Sequence, residues 1–252
     1  MPVGSAVVIV SHKHRFVFVK TRKTAGTSIE AFLSLHAGDD AIVTPLHEDD
    51  DVAGHEPRNW KRLFNPIPEM LSGGALGARA AASDLRRRRA FWNHMPASQI
   101  RARIGKGTWD DYFTFCFERD PWEKVVSFYY WQTKNRTARG DRPDFEKWAL
   151  QRPLPSDWAQ YTIDGDVAVD FVGRYESLAD DLRTALDRVG LDVPIDLPRV
   201  KGQYRSAEDP VELTDRVDAR IAKVFAREIA AFGYLDRSAG PAESEATTET
   251  GS

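Results

Sequence analysis

The chain has 252 residues, 35 Lys and Arg against 38 Asp and Glu, and a formal net charge of −3. With 42% hydrophobic and 11% aromatic residues it holds enough apolar material for a core, which excludes general disorder, and its near-neutrality argues against a coat for DNA or an anionic membrane. The single cysteine, Cys116, excludes an intrachain disulfide framework and a four-cysteine zinc site, and no apolar run approaches the roughly 18 residues of a membrane span.

Residues 6–10 and 15–20 are short runs rich in Val, Phe and Ile. Phe16, Val17, Phe18 and Val19 are apolar without alternation, the pattern of a strand buried on both faces. A Gly/Thr/Ser turn follows, then Ile29, Phe32, Leu33 and His36 at helical spacing, a strand–loop–helix unit that opens an α/β fold. Residues 38–95 are rich in Gly, Pro and charge, and declare no clear element. Residues 112–117 predict a second strand. After it, Asp120, Pro121 and Glu123 supply a cap, a first-turn proline and a closing capping box for a helix carrying Val125, Val126, Tyr129 and Tyr130. A third unit has a strand over 167–174, Ser177 as cap, and a stripe of Leu178, Leu182, Leu186 and Val189 ended by Gly190. A last helix is predicted over 214–232. One domain is expected over 1–237, with 238–252 a disordered acidic tail. That tail holds Glu243, Glu245 and Glu249 and no Lys or Arg, so the body carries 35 bases and 35 acids.

Charge is segregated in the middle of the chain. From 36 to 57 there are seven acids (Asp39, Asp40, Glu48, Asp49, Asp50, Asp51, Glu56) and no Lys or Arg; from 79 to 106 there are eight bases against Asp84. Two readings stand: solvated segments that neutralise each other, or a basic stretch facing an anion.

The loop Lys20-Thr-Arg-Lys-Thr-Ala-Gly-Thr-Ser28 is the most informative segment. A loop that leaves a strand and opens a helix presents unpaired N–H groups and the positive end of the helix dipole, a ready anion site. Gly26 lets backbone approach a ligand, Thr24, Thr27 and Ser28 offer hydroxyls, and Lys23 supplies a charge. It is not a Walker A loop, because Lys23 precedes Gly26. A polar turn with an ordinary helix cap is the alternative.

Residues 23–28, Lys-Thr-Ala-Gly-Thr-Ser, resemble the 5′-phosphosulfate loop of sulfotransferases that use 3′-phosphoadenylyl sulfate (PAPS). Phe115-Cys-Phe-Glu-Arg-Asp-Pro-Trp-Glu-Lys-Val-Val-Ser127 resembles the 3′-phosphate motif of that family, an Arg followed eight residues later by Ser. The likeness extends to Gly173-Arg-Tyr-Glu-Ser-Leu178 and Lys201-Gly-Gln-Tyr-Arg205, in the family's order from 16 to about 235, and is nearest to the carbohydrate sulfotransferases, including the heparan 2-O type. It implies a P-loop-like three-layer fold with a central, mostly parallel sheet flanked by helices. It also implies that Lys23 contacts the oxygen bridging sulfate and phosphate, and that Arg22, Lys23, Thr24, Ala25, Gly26, Thr27 and Ser28 hold the 5′-phosphate. Arg119 and Ser127 would bind the 3′-phosphate, with Lys201, Tyr204 and Arg205 closing over that end. The bland alternatives are an ion pair of Arg119 with Glu118, Asp120 or Glu123, and a solvated basic loop at 201–205.

Sulfuryl transfer, like phosphoryl transfer, is an in-line displacement catalysed by positioning and electrostatics. It needs a base for the acceptor hydroxyl, and histidine is suited to that. Of His12, His14, His36, His47, His55 and His94, the last lies in Phe91-Trp-Asn-His-Met-Pro-Ala-Ser98, which matches the family's His-x-Pro segment. The resemblance therefore implies Lys23 and His94 as the catalytic pair. His36 reads as a helix-face residue. His47 and His55 as metal ligands with Glu48 and Asp49–Asp51 lack a regular spacing, and the implied reaction needs no metal. Arg86–Arg89 read either as a site for an anionic glycan acceptor or as a solvated helix face; sparse aromatics and a neutral body weigh against nucleic acid. Cys116 reads as core, and so do Trp109, Trp122, Trp131, Trp148 and Trp158, with stacking of one of them on a sugar as the alternative. Lacking the Golgi anchor, stem and paired cysteines of eukaryotic glycan sulfotransferases, the chain reads as a soluble, bacterial-type cytoplasmic enzyme acting on a glycan or glycolipid hydroxyl. Two alternatives stay open. A nucleotide-dependent phosphoryl-transfer enzyme would carry a Gly-Lys-Ser/Thr loop and a magnesium-binding acid; a non-catalytic nucleotide- or glycan-binding relative would differ only in turnover.

Overall fold

The computed structural model describes residues 8–45, 55–72, 74–92, 94–137, 142–198 and 210–239. In chain order the elements are β1 (Ile9–Ser11), β2 (Phe16–Phe18), α1 (Gly26–His36), β3 (Ile42–Val43), α2 (Ile67–Ser72), α3 (Gly74–Arg86), α4 (Ala97–Ile104), α5 (Lys106–Asp111), β4 (Phe113–Glu118), α6 (Pro121–Thr137), α7 (Phe145–Gln151), α8 (Trp158–Tyr161), β5 (Thr162–Ile163), β6 (Asp166–Val167), β7 (Phe171–Arg174), α9 (Leu178–Arg188), α10 (Asp215–Val224) and α11 (Ala226–Phe232). They fall into two compact units, one formed by 1–120 with 157–205 and the other by 121–156 with 206–252.

The first unit is mixed α/β around a five-stranded sheet of order β3-β1-β2-β4-β7. β2–β4 and β4–β7 are parallel, whereas β1 runs against both β2 and β3. Four strands thus share one direction and β1 alone opposes them. The reason is local: the short turn after Ser11 can close only an antiparallel hairpin, while each parallel pairing is reached through a long crossover. Phe16, Val17, Phe18 and Val19 are all buried, as their unbroken apolar run predicts. On one face, Phe16, Phe18, Phe115 and Phe117 pack with Ile29, Phe32 and Leu33 of α1 and Leu182, Ala185 and Leu186 of α9. Val10, Val17 and Cys116, which alternate with them, are buried as well.

Three expectations are corrected in detail. The strand read over 167–174 is two pieces: β6 pairs with β5 across an Asp164–Gly165 turn whose φ values are 55° and 96°, and only β7 joins the main sheet. Asp170 separates them, its carboxylate accepting from the backbone N–H and hydroxyl of Thr114 at 2.8 and 2.9 Å. Ser177 stands at the start of α9 without capping its backbone, donating instead to Asp181 Oδ2 at 3.0 Å. The helix over 214–232 is α10 and α11, broken at Phe225, which turns its fully buried side chain inward at φ −101°.

The second unit is helical among its described residues. Tyr129 of α6 makes edge contacts with Phe145 and Trp148 of α7, and the Trp122 indole N–H donates to Asp218 of α10 at 2.8 Å. Val125, Val126, Tyr129 and Tyr130 are buried as the helical spacing predicts; Trp109 and Cys116 of the first unit and Trp122 and Trp148 of the second are core.

Candidate active site

The loop between β2 and α1 is built from internal bonds that fix an unusual backbone. Lys23 and Ala25 are both left-handed, at φ 62° and 58°. Ala25 occupies the N-cap position of α1 and has no side chain with which to cap. The first-turn N–H groups therefore lack the intrahelical and side-chain partners that an ordinary cap provides. Thr21 is tied to the end of β4 through its hydroxyl, which donates to the Phe117 carbonyl, and it shares a 2.9 Å bond with the Thr24 hydroxyl. Thr24 is fully buried, so this hydroxyl, expected to face a ligand, is spent on the loop itself. Gly26 is also required by packing: a Cβ there would stand 2.8 Å from Lys20 Cγ, so the missing side chain makes room for Lys20. Lys20 is buried, and its ammonium donates to Glu30 Oε2 and Thr27 Oγ1, each at 3.2 Å. Ser28 is half-buried on the first turn of α1.

Two groups dock on carbonyls of this loop. Arg119, at the end of β4, donates from Nη1 to the Lys23 carbonyl at 3.3 Å, with its guanidinium 4.1 Å above the Tyr175 ring. The neighbouring Asp120 N–H, expected in a capping box with Glu123, donates to Glu176 Oε1 at 2.8 Å. Tyr175 and Glu176 of the Gly173–Leu178 motif thus support Arg119 and its neighbour. His94 donates from Nδ1 to the Lys20 carbonyl at 3.1 Å, which leaves the lone pair of the neutral ring on Nε2. Its φ is 52°. Burial and the charge of Lys20, partly opposed by Asp157, push its pKa down to about 3.

Sequence reasoning did not single out Asp157, Lys20, Arg103 or Tyr175. Asp157, fully buried, accepts from the Arg22 backbone N–H and from Arg22 Nε, both at 2.7 Å. Arg103, its side chain fully buried, ties α4 to α2, to α3 and to the chain after α3. It donates to Glu69 at 2.5 and 2.7 Å, to Asp84 at 3.2 Å and to the carbonyls of Arg89 and Ala90 at 3.0 and 2.8 Å. Arg89 is paired with Asp84 as well. Two bases of the 79–106 stretch, Arg89 and Arg103, are thus paired within the fold, whereas Arg86, Arg87 and Arg88 are exposed. The only hint of Arg103 was its place between apolar residues on a helix.

The His36 ring packs at a tilt of 57° against Phe32 of its own helix, 5.1 Å between ring centres. Both nitrogens of His55 are bonded, to Ser34 Oγ at 3.2 Å and the Thr44 carbonyl at 3.0 Å, and no group of three potential metal ligands occurs among the described residues. Ser127 is half-buried on α6 in the second unit. Lys201, Tyr204 and Arg205, His47 with Glu48 and Asp49–Asp51, and residues 240–252 lie outside the described residues. No helix among the described residues is long and apolar enough to cross a membrane.

The model of the sulfotransferase family matches residues 7–235, across both units. The chain belongs to the sulfotransferase family, whose class of reaction is the enzymatic transfer of sulfate to an acceptor. It is 38% identical over 109 residues to an uncharacterized protein of Archaeoglobus fulgidus, covering 41% of this chain and 88% of that protein. No solved structure matches the chain significantly.

Proposed function

We propose that the protein transfers the sulfuryl group of PAPS to an acceptor hydroxyl, on a carbohydrate, by in-line displacement with His94 as general base. The two units act together as one domain over residues 1–237. The observation that carries the reading is that one loop, left-handed and uncapped where it enters α1, accepts Arg119 on one of its carbonyls and His94 on another. The backbone from Arg22 to Ser28, in a P-loop-like cradle, and the charge of Lys23 suit a 5′-phosphate; Arg119 suits the 3′-phosphate. By resemblance, Ser127, Lys201, Tyr204 and Arg205 serve the 3′ end. The donor supplies an activated sulfuryl group, and Lys23 stabilises charge on the leaving oxygen. His94 takes the acceptor proton on Nε2. A ring held neutral by burial beside Lys20 and Arg22 keeps that lone pair at every physiological pH. The phosphates of a donor held in the loop would offset the same cations and raise the ring's proton affinity toward the working range. The acceptor is a glycan or glycolipid, and the setting is the cytoplasm of a bacterial-type cell.

Calorimetric titration with adenosine 3′,5′-bisphosphate, against ATP and AMP, tests the reading; preference for ATP, or no bisphosphate binding, overturns it. His94→Asn tests the base, since Asn tolerates the left-handed backbone. Turnover falls by about 10²–10⁴ while bisphosphate affinity is retained; near-normal turnover removes His94 from the mechanism.

A further inference from the structure

Asp157 lies 135 residues from Arg22 in sequence, yet its carboxylate receives two bonds from that one residue. One comes from the backbone N–H of the anion loop and the other from the guanidinium, and the carboxylate is wholly shielded from water. An exposed ion pair would fix little, because solvent screens it and both side chains remain mobile. Here a buried acceptor grips main chain and side chain together, so the position of the loop at Arg22 is tied to the start of α8.

The consequence reaches both halves of the site. Lys23 follows Arg22 directly, in the left-handed conformation whose carbonyl receives Arg119. Lys20 precedes it by two residues, and the Lys20 carbonyl receives His94 Nδ1. The charges facing the imidazole are those of Lys20, Arg22 and Asp157, of which Asp157 alone is negative. Lys20 is already paired with Glu30.

We infer that Asp157 is a positioning residue for the transfer reaction: by gripping Arg22 through main chain and side chain, it holds the donor loop and the His94 anchor in one fixed relation. This rests on the sulfotransferase reading above. Asp157 touches neither substrate in this account; it acts through Arg22, and so Asp157 and Arg22 form one unit rather than two independent contributors.

The test is a double-mutant cycle of Asp157→Asn and Arg22→Gln in the full chain, with bisphosphate affinity from calorimetry and kcat from labelled-donor turnover. Each single variant is expected to weaken bisphosphate binding about tenfold and to lower kcat, and the double variant to be no worse than the singles. A purely structural Asp157 would lower the melting temperature, leave the affinity of the folded fraction unchanged and show no coupling to Arg22. Additive effects, or unchanged affinity and kcat in the folded singles, overturn the proposal. Should Asp157→Asn fail to fold, Asp157→Glu takes its place in the cycle, keeping the charge but displacing the carboxylate; unchanged affinity and kcat there, or additivity with Arg22→Gln, overturn the proposal as well. Failure of the unmodified protein to bind the bisphosphate sinks the underlying reading, whereas binding with uncoupled variants sinks only the role of Asp157.

Discussion

At residue 94 a histidine holds a left-handed backbone, a bond to the Lys20 carbonyl and a half-buried ring next to two cations. The burial and neighbouring charge that keep the ring neutral make it a cost to the fold in acid. Its pKa is about 3 in the folded chain against 6.5 ordinarily, so between those values the unfolded chain binds a proton that the folded chain refuses. Its contribution to stability is full above about pH 6.5 and is lost as pH falls toward 3. His55 and His14, both lowered mainly by burial, slope the same way. Denaturant unfolding of His94→Asn between pH 7 and pH 4 is expected to show a flatter pH dependence than the unmodified protein, without removing it altogether. An equal slope in both would show that His94 is not shielded as described. His94 was legible in the sequence through its neighbours Met95 and Pro96. Its anchors were not, because Lys20 reads as the end of a strand and Asp157 as one acid in a loop.

At the level of elements, the strand–loop–helix units read from the sequence are present where apolar runs and breakers coincide, and they differ where a polar side chain interrupts. Asp170 divides β6 from β7 by binding Thr114, a partner 56 residues away that no local pattern reveals. Gly173 shows the reverse case, a residue that looks dispensable and is not. It lies opposite Phe117 in the parallel β4–β7 pairing, and an added Cβ would come within 2.5 Å of that fully buried ring. Gly173→Ala is expected to lower unfolding free energy by about 1–3 kcal/mol through overpacking, seen as a lower denaturant midpoint at unchanged slope. The next residues, Tyr175 and Glu176, support Arg119 and Asp120, so bisphosphate affinity should fall with stability in this variant. The part of 38–95 around Glu69, Asp84 and Arg89 resisted reading because these residues are joined through Arg103, in a network assembled from α2, α3, α4 and the chain after α3. Such a network has no periodicity to detect.

For the whole molecule, net charge is a poor guide and its distribution a good one. The excess of three acids belongs to residues 238–252, beyond the family match that ends at 235. A chain ending at residue 239 is therefore expected to keep the bisphosphate affinity and melting temperature of the full protein, within about twofold and a degree or two; a larger loss in calorimetry or thermal unfolding would give the tail a part in the site. Within the first unit the cations divide by partner. Lys20 is paired with Glu30, Arg22 with Asp157, Arg103 with Glu69 and Asp84, and Arg89 with Asp84. Arg119 meets a carbonyl and an aromatic face. A count of bases cannot make that distinction, since pairing depends on residues brought together from afar.

By itself the sequence determined the α/β class, the buried strands, the loop that enters α1 and the motifs that mark a sulfotransferase, because each is a local pattern of apolarity, glycine and charge with its own spacing. Only the tertiary structure decided which of those groups are spent internally. Thr24, Gly26 and Lys20 serve the loop's own shape, His94 is tied to that loop by its Nδ1 proton, and a buried carboxylate 135 residues along the chain from Arg22 grips it. Hydrogen bonds and desolvation between distant segments leave no trace in spacing, and they are what turn a polar loop into a fixed one.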